Sequence, residues 1–125
     1  MARIREIVID SLHPPALARF WASALEGYAV RPYDAAEVAR VAALGRTPES
    51  DPSVAVDGPG PVLFFQEVSE AKRGRNRLHF DLAGGPRAAE VERLCTLGAT
   101  VRDHHDTYSV LQDPEGNEFC VQDPE

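Results

Sequence analysis

The 125 residues predict an α+β fold of two similar halves, and three observations support it. Strand-like and helix-like stretches follow one another in the same strand–helix–strand order in each half. A gapless shift of 71 residues lays Asp10 on Asp81, Pro15 on Pro86, Ala18 on Ala89, Gly27 on Gly98 and Val30 on Val101. A second shift, of 56, lays Phe64-Phe-Gln-Glu67 on Cys120-Val-Gln-Asp123, so the first half alone carries an extra helix and loop at residues 34–57. Third, Asp113-Pro-Glu-Gly-Asn117 is a tight turn into a last strand: Pro fixes φ, Asp bonds its own backbone, and Gly116-Asn117 tolerate positive φ.

Taken in order, residues 3–10 end in the apolar run Ile-Val-Ile and read as a strand. Pro14 or Pro15 suits the first turn of a helix, with Ser11 or His13 near its cap. Leu17, Phe20, Trp21, Ala24 and Leu25 recur on one helical face, and Gly27 ends it. Phe20 and Trp21 on that stripe read as core. Residues 28–33 are a short strand. Asp34 caps a second helix with Val38, Val41, Ala42 and Leu44 on one side. Residues 53–57 and 62–68 are strands separated by Gly58-Pro-Gly-Pro61. Residues 69–76 form a polar connector with Lys72, Arg73 and Arg75, read as a solvated link with an anion-binding loop as the alternative. The second half follows with a strand at 77–82 and a helix opened by Pro86 with Ala88, Val91, Leu94 and Cys95 inward. Strands at 99–103, 108–112 and 118–122 complete it.

Composition narrows the function classes. A 43% hydrophobic and 26% charged chain is ordinary for a globular domain. The net charge of −7 opposes a nucleic-acid footprint, which needs a basic face. No basic amphipathic segment suggests a membrane surface, and no stretch is long and apolar enough to span one. Cys95 and Cys120 form neither a metal motif by spacing nor a disulfide framework. With no apolar run of signal-peptide length, a reducing cytoplasm is the expected location. His104 and His105 are neighbours that strand alternation points apart, which suits a polar turn. No phosphate loop, zinc-finger spacing or Ser-His-Asp signature is present.

The terminal Asp113-Pro-Glu-Gly-Asn117 turn and its strand resemble the end of the vicinal oxygen chelate superfamily of glyoxalases, bleomycin-resistance proteins and extradiol dioxygenases. The glyoxalase-like subgroup is similar also at Ile7-Val-Ile-Asp10, Leu17-Ala-Arg-Phe-Trp21, Gly27-Tyr28, Asn76-Arg-Leu-His-Phe-Asp-Leu82 and Gly98-Ala99. The resemblance covers nearly the whole chain. It implies one glyoxalase-like domain over residues 1–125, made of tandem βαβββ modules, 1–70 and 76–125, that form a half-barrel cleft about a pseudo-twofold axis. It also implies a homodimer, since half-barrel folds leave edges and apolar faces for a second copy to cover.

In the metalloenzymes of that superfamily the cleft holds one divalent ion, with a ligand from the first strand of each half, often His, and one from the last strand of each half, often Glu. His79 falls on one first-strand position. The shift of 71 sets Val8 opposite it, and a slip of two residues sets Glu6 there instead. The last-strand positions fall on Phe64, which offers no donor, and on Cys120, a soft donor where a hard one is expected. The resemblance therefore implies no metal cofactor, with one divalent ion on His79 as the alternative.

His79 has three readings: a cleft-lining group that orients a ligand or moves a proton, a metal ligand, or a structural histidine. Asp81, two residues on, is placed to orient it, which makes His79 and Asp81 the candidate catalytic pair. Glu6, Val8, Tyr28, Phe64, Gln66, His79, Tyr108 and Cys120 are candidate ligand-binding residues, on the model of an apolar cleft with few polar groups. Cys120 reads as an inert small hydrophobe, because nothing lowers its pKa. Three functions remain: metal-independent binding of a small, partly apolar molecule; a lyase, isomerase or dioxygenase that uses His79; or a module with an empty cleft.

Overall fold

A computed structural model describes residues 1–125. The chain forms two compact units, Met1–Ala71 and Lys72–Glu125, so the boundary falls within the polar connector. The first contains strands β1 (Glu6–Ser11), β2 (Ala29–Val30), β3 (Ser53–Asp57) and β4 (Val62–Glu67), with helices α1 (Pro14–Ala24) and α2 (Ala35–Ala43). The second contains β5 (Asp81–Leu82), α3 (Arg87–Leu97), β6 (Thr100–His104), β7 (Tyr108–Gln112) and β8 (Glu118–Gln122). The sheet orders are β1-β4-β3-β2 and β5-β8-β7-β6. In each, the first strand pairs parallel with the last and the others antiparallel, so both units are βαβββ modules.

Strand alternation divides each sheet into a helix face and an open face. In the first sheet the register sets Val54 beside Phe65 and Val56 beside Leu63, all buried, and α1 packs on β3 and β4. Leu17, Ala18, Phe20, Trp21 and Ala24 of α1 are buried, with Phe20 and Trp21 edge to face at 5.2 Å. In the second sheet Ser109, Leu111, Phe119 and Val121 are buried on the side where α3 brings Val91 and Leu94. Arg87 at the start of α3 donates to the carbonyls of His105 and Asp106 and pairs with Asp123 at 2.9 Å. No helix is long and apolar enough to cross a membrane.

Several elements differ from their sequence expectation for identifiable reasons. β2 covers only Ala29–Val30; Arg31 still donates to the Ala55 carbonyl at 2.9 Å, but Pro32 has no N–H to continue the ladder. α1 ends at Ala24, and Gly27 turns the chain afterwards at φ 76°. Asp34 caps α2 as expected, accepting from the Glu37 amide. Of the expected apolar stripe only Val41 is buried, and Val38 and Leu44 are about half exposed. In α3, Val91 and Leu94 face inward while Ala88 is exposed. β5 is shorter than residues 77–82 because side chains of the last strand replace the ladder: the Asn76 amide donates to Glu118, and the Asn76 side chain to Asn117. In the terminal turn Gly116 takes φ 86°, and no residue other than glycine has positive φ.

The structure also corrects the register of the repeat. Helices α1 and α3 both have 11 residues, and Pro14 corresponds to Arg87 and Ala24 to Leu97, an offset of 73. That offset lays Glu6 on His79 and Val8 on Asp81. The sheets agree with it: Val8 pairs with Phe64 in one unit and Asp81 with Cys120 in the other. Glu6, not Val8, is thus the counterpart of His79.

Phe65 is fully buried at the centre of the first sheet. Phe65→Ala is expected to lose about 3–5 kcal/mol of stability, whereas Val38→Ala on the open side of α2 stays within about 0.5 kcal/mol. Urea unfolding monitored by circular dichroism measures both.

Candidate functional site

The open face of the second sheet gathers most of the chemistry. Asp81 on β5 and Cys120 on β8 are register partners across a parallel pair, and Val110 stands across from Cys120 on β7. His79 precedes Asp81 by two residues and returns to the same side, with its Nε2 3.3 Å from Asp81 Oδ1. Both side chains are solvent-accessible, at 42% and 57% of their area. The His79 ring, the Asp81 carboxylate and the Cys120 sulfur bring one ligating atom each to within 4.8 Å of one another. Burial, and then the Asp81 carboxylate, push the Cys120 thiol above its ordinary value. At neutral pH it is a protonated, weakly polar group, not a nucleophile.

One turn of the ladder away, Glu118 occupies the same face of β8. Its carboxylate accepts from Lys72 Nζ at 2.8 Å and from the Asn76 amide at 3.0 Å, and Arg102 lies 3.6 Å away. Burial alone would raise its pKa; the hydrogen bonds from Lys72 and Asn76 win and hold it down at about 2. Lys72 is therefore engaged with Glu118 and not free for an anion. Glu118 was not among the sequence candidates, and Lys72 entered only through the alternative of an anion-binding loop. The signal was available, since Glu118 and Cys120 are two apart on one strand.

The other sequence candidates are distributed as follows. Tyr108 stacks on His105, with centroids 4.6 Å apart, while His104 Nδ1 lies 2.8 Å from Ser109 Oγ, so the adjacent histidines do take separate partners. In the first unit, Glu6, Val8 and Asp10 share the open face with Val62, Phe64 and Gln66. Glu6 contacts Arg5, Val8 is 46% exposed, and Gln66 donates to Asp10 at 2.8 Å. Tyr28, just before β2, packs on the β3–β4 turn: its hydroxyl donates to the Pro61 carbonyl, and its ring lies where a Cβ on Gly58 would be.

Phe64 also lines a pocket of about 210 Å³ with Arg31, Tyr33, Glu37, Arg40 and Asp51. Asp51, 1% exposed, accepts from the Tyr33 hydroxyl at 2.6 Å, Arg40 at 2.8 Å and the Ser53 amide at 2.9 Å. Burial pushes the Asp51 carboxyl up, but these donors keep it below its ordinary value. Burial and the Asp51 carboxylate push the Tyr33 hydroxyl upward. Nothing in the linear sequence pointed to this network, because its members lie in a loop, a helix and a turn.

The chain matches the glyoxalase-like domain model over residues 6–122. It belongs to the glyoxalase-like family of the vicinal oxygen chelate superfamily. Its fold is similar to that of a glyoxalase/bleomycin resistance protein/dioxygenase family enzyme from Burkholderia phytofirmans, at 16% identity, with 96% and 97% of the two chains covered and a TM-score of 0.63. It is similar also to the fosfomycin resistance protein FosX from Mesorhizobium loti, at 11% identity, 98% and 91% coverage and a TM-score of 0.66. Leishmania major glyoxalase I shares 14% identity, with 98% and 87% coverage and a TM-score of 0.62. At these identities the likeness is one of fold. No curated protein matches the chain.

The oxygen-rich divalent centre expected of metalloenzymes in this glyoxalase-like superfamily does not fit the residues present. The first-strand positions carry Glu6 and His79, but of the last-strand positions Phe64 has no donor atom and Cys120 presents a protonated thiol, and the nearby Glu118 is held by Lys72 and Asn76. A hard divalent ion needs several oxygen ligands to replace its hydration shell.

Glu118 yields a pH prediction. Unfolded, it titrates near 4.5; folded, near 2. The stabilisation it contributes is complete above pH 4.5 and fades as pH falls towards 2. Acid unfolding of the wild type should therefore show a loss of stability in that window that is smaller in Glu118→Gln. Circular dichroism as a function of pH measures it.

Proposed function

We propose that this glyoxalase-like protein binds a small, partly apolar molecule on the open sheet face that carries His79, without a metal ion. The observation that supports this reading is the accessible His79–Asp81 pair set beside the weakly polar Cys120 and Val110. Such a face offers apolar contact area with one hydrogen-bonding focus, as small-molecule sites do. Asp81, 3.3 Å from His79, orients the imidazole and fixes which ring nitrogen faces the ligand.

The same pair supports a second reading, acid–base chemistry of a lyase or isomerase type. An imidazole backed by a carboxylate can take a proton from a bound molecule and return it. Binding and proton transfer use the same two side chains, so the ligand decides between them. A cytoplasmic homodimer is the assembly we infer, because β1 and β2, and β5 and β6, leave unpaired sheet edges. Light scattering that returns the mass of a single chain would refute the dimer.

Native mass spectrometry of the purified protein tests for a retained small molecule, and elemental analysis should find no stoichiometric transition metal. For a ligand so identified, His79→Ala is expected to weaken affinity about tenfold, near 1.4 kcal/mol. Calorimetry in the presence of a chelator measures it, and unchanged affinity would refute the role of His79.

A further inference from the structure

We propose that Arg75 anchors a single carboxylate group, so that the molecule held on the His79 face is a small organic acid with an apolar body; this rests on binding at that face and adds the chemical class of the ligand.

The unpaired cations of the chain are concentrated beside that face. Between Arg5 and Arg46, and again from Arg87 to Arg102, every arginine meets a carboxylate. In the connector, Lys72 is neutralised by Glu118 at 2.8 Å, whereas Arg73, Arg75 and Arg77 are exposed and have neither an ion pair nor a hydrogen bond. In a chain of net charge −7 these guanidinium groups make a local surplus of positive charge.

Geometry selects Arg75 among them. Gly74 turns the chain at φ 68°, and Lys72 Nζ ties the Gly74 carbonyl to Glu118. Immediately after Arg75, the Asn76 amide donates to Glu118 Oε2 at 3.0 Å and the Asn76 side chain to Asn117 at 3.2 Å. Farther along, the Cys120 amide donates to the Phe80 carbonyl at 2.9 Å. Residues 76–80 are thus laid along residues 117–120, with Arg75 at the head of that contact. Its charge reaches the face itself. Burial and the Asp81 carboxylate raise the Cys120 thiol, and the Arg75 guanidinium acts on it in the opposite direction.

Charge and shape select the ligand. A guanidinium presents a planar fork of N–H donors that a carboxylate matches with two parallel hydrogen bonds. Asp81 stands on the same face, and its charge disfavours a doubly charged group such as a phosphate. One free cation beside one fixed carboxylate suits one negative charge. An acid held at Arg75 lays its apolar body on Cys120 and Val110 and brings a polar atom to His79.

The test uses the full chain, isotopically labelled and kept in chelator, with two matched pairs of probes: phenylacetate with phenylacetamide, and hexanoate with hexanamide. Each acid should shift the amide resonances of Asp81 and Cys120 and bind about fivefold more tightly than its amide. Arg75→Gln should remove that preference by weakening the acids alone, and Arg75→Lys should restore part of it. Arg73→Gln, which removes the same charge from the same connector, should change it less than about twofold. Rising salt should weaken the acids and not the amides. Equal binding of acid and amide, a preference that survives Arg75→Gln or disappears in Arg73→Gln, or no binding by either acid would overturn the carboxylate anchor. His79→Ala separates the anchor from binding at His79. Amides that lose affinity in that variant, with no preference for acids in the wild type, refute Arg75 and leave His79 its role. Acids that keep both affinity and preference in that variant uphold Arg75 and refute the role of His79.

Discussion

The open face of the second sheet depends on one buried carboxylate. Asp113 is 4% exposed, and its Oδ1 accepts from the amides of Glu115 and Asn117 while Oδ2 accepts from the Asn117 side chain. The Asp113 amide donates to the Asn117 carbonyl, and the Gly116 amide to the Asp113 carbonyl. These bonds fix the length and direction of the β7–β8 turn, and turn geometry fixes strand register. A slip of one residue on β8 would send Cys120 and Glu118 to the helix face and Phe119 and Val121 to the open one. That would exchange four side chains between an apolar core and a polar surface. The turn thereby keeps Cys120 on the face where β5 sets Asp81 across from it.

The two units adopt the same topology and use their open faces differently. In the first, the extra residues between β2 and β3 build α2 and bring Asp51 under Arg40 and Tyr33. A buried carboxylate with three donors gives rigidity, because removing one partner would leave a charge without compensation. In the second, where that insertion is missing, Glu118 performs a comparable task from the strand itself by fastening Lys72 and Asn76. That attachment draws the chain before β5 onto β8 and carries His79 to its place above Asp81. Each module thus fastens an irregular segment with a hydrogen-bonded carboxylate, and neither Asp51 nor Glu118 is available as a metal ligand.

Much of this was legible in the sequence because local chemistry and tertiary pattern agreed there. The Asp-Pro-Glu-Gly-Asn turn, the strands at 108–112 and 118–122, and the Asp34 cap lie where turn chemistry, alternation and capping set them. What the sequence misstated has a common physical cause, namely that side chains and tertiary packing overrode local pattern. The apolar spacing of Val38, Val41 and Leu44 predicts a helix correctly, but how many of those residues are covered depends on neighbours distant in sequence. Tyr28 reads as a site residue until its hydroxyl is seen on Pro61. The repeat register was misread by two residues because identities such as Asp10 with Asp81 outweighed the helix boundaries. The result changed the chemistry of the comparison, since the counterpart of His79 became an acid instead of an apolar residue.

The state of Cys120 sets the character of its face. A thiol kept protonated by burial and by a neighbouring carboxylate behaves as a small apolar wall towards an organic molecule. Asp81 acts against negative charge on sulfur, so the hydrogen-bonding focus of the face stays with the His79–Asp81 pair. A glutamate at position 120 would instead set a second carboxyl group across from Asp81, and each would disfavour ionisation of the other. Sulfur at this position leaves the strand face beside His79 weakly polar, which suits contact with an apolar part of a bound molecule.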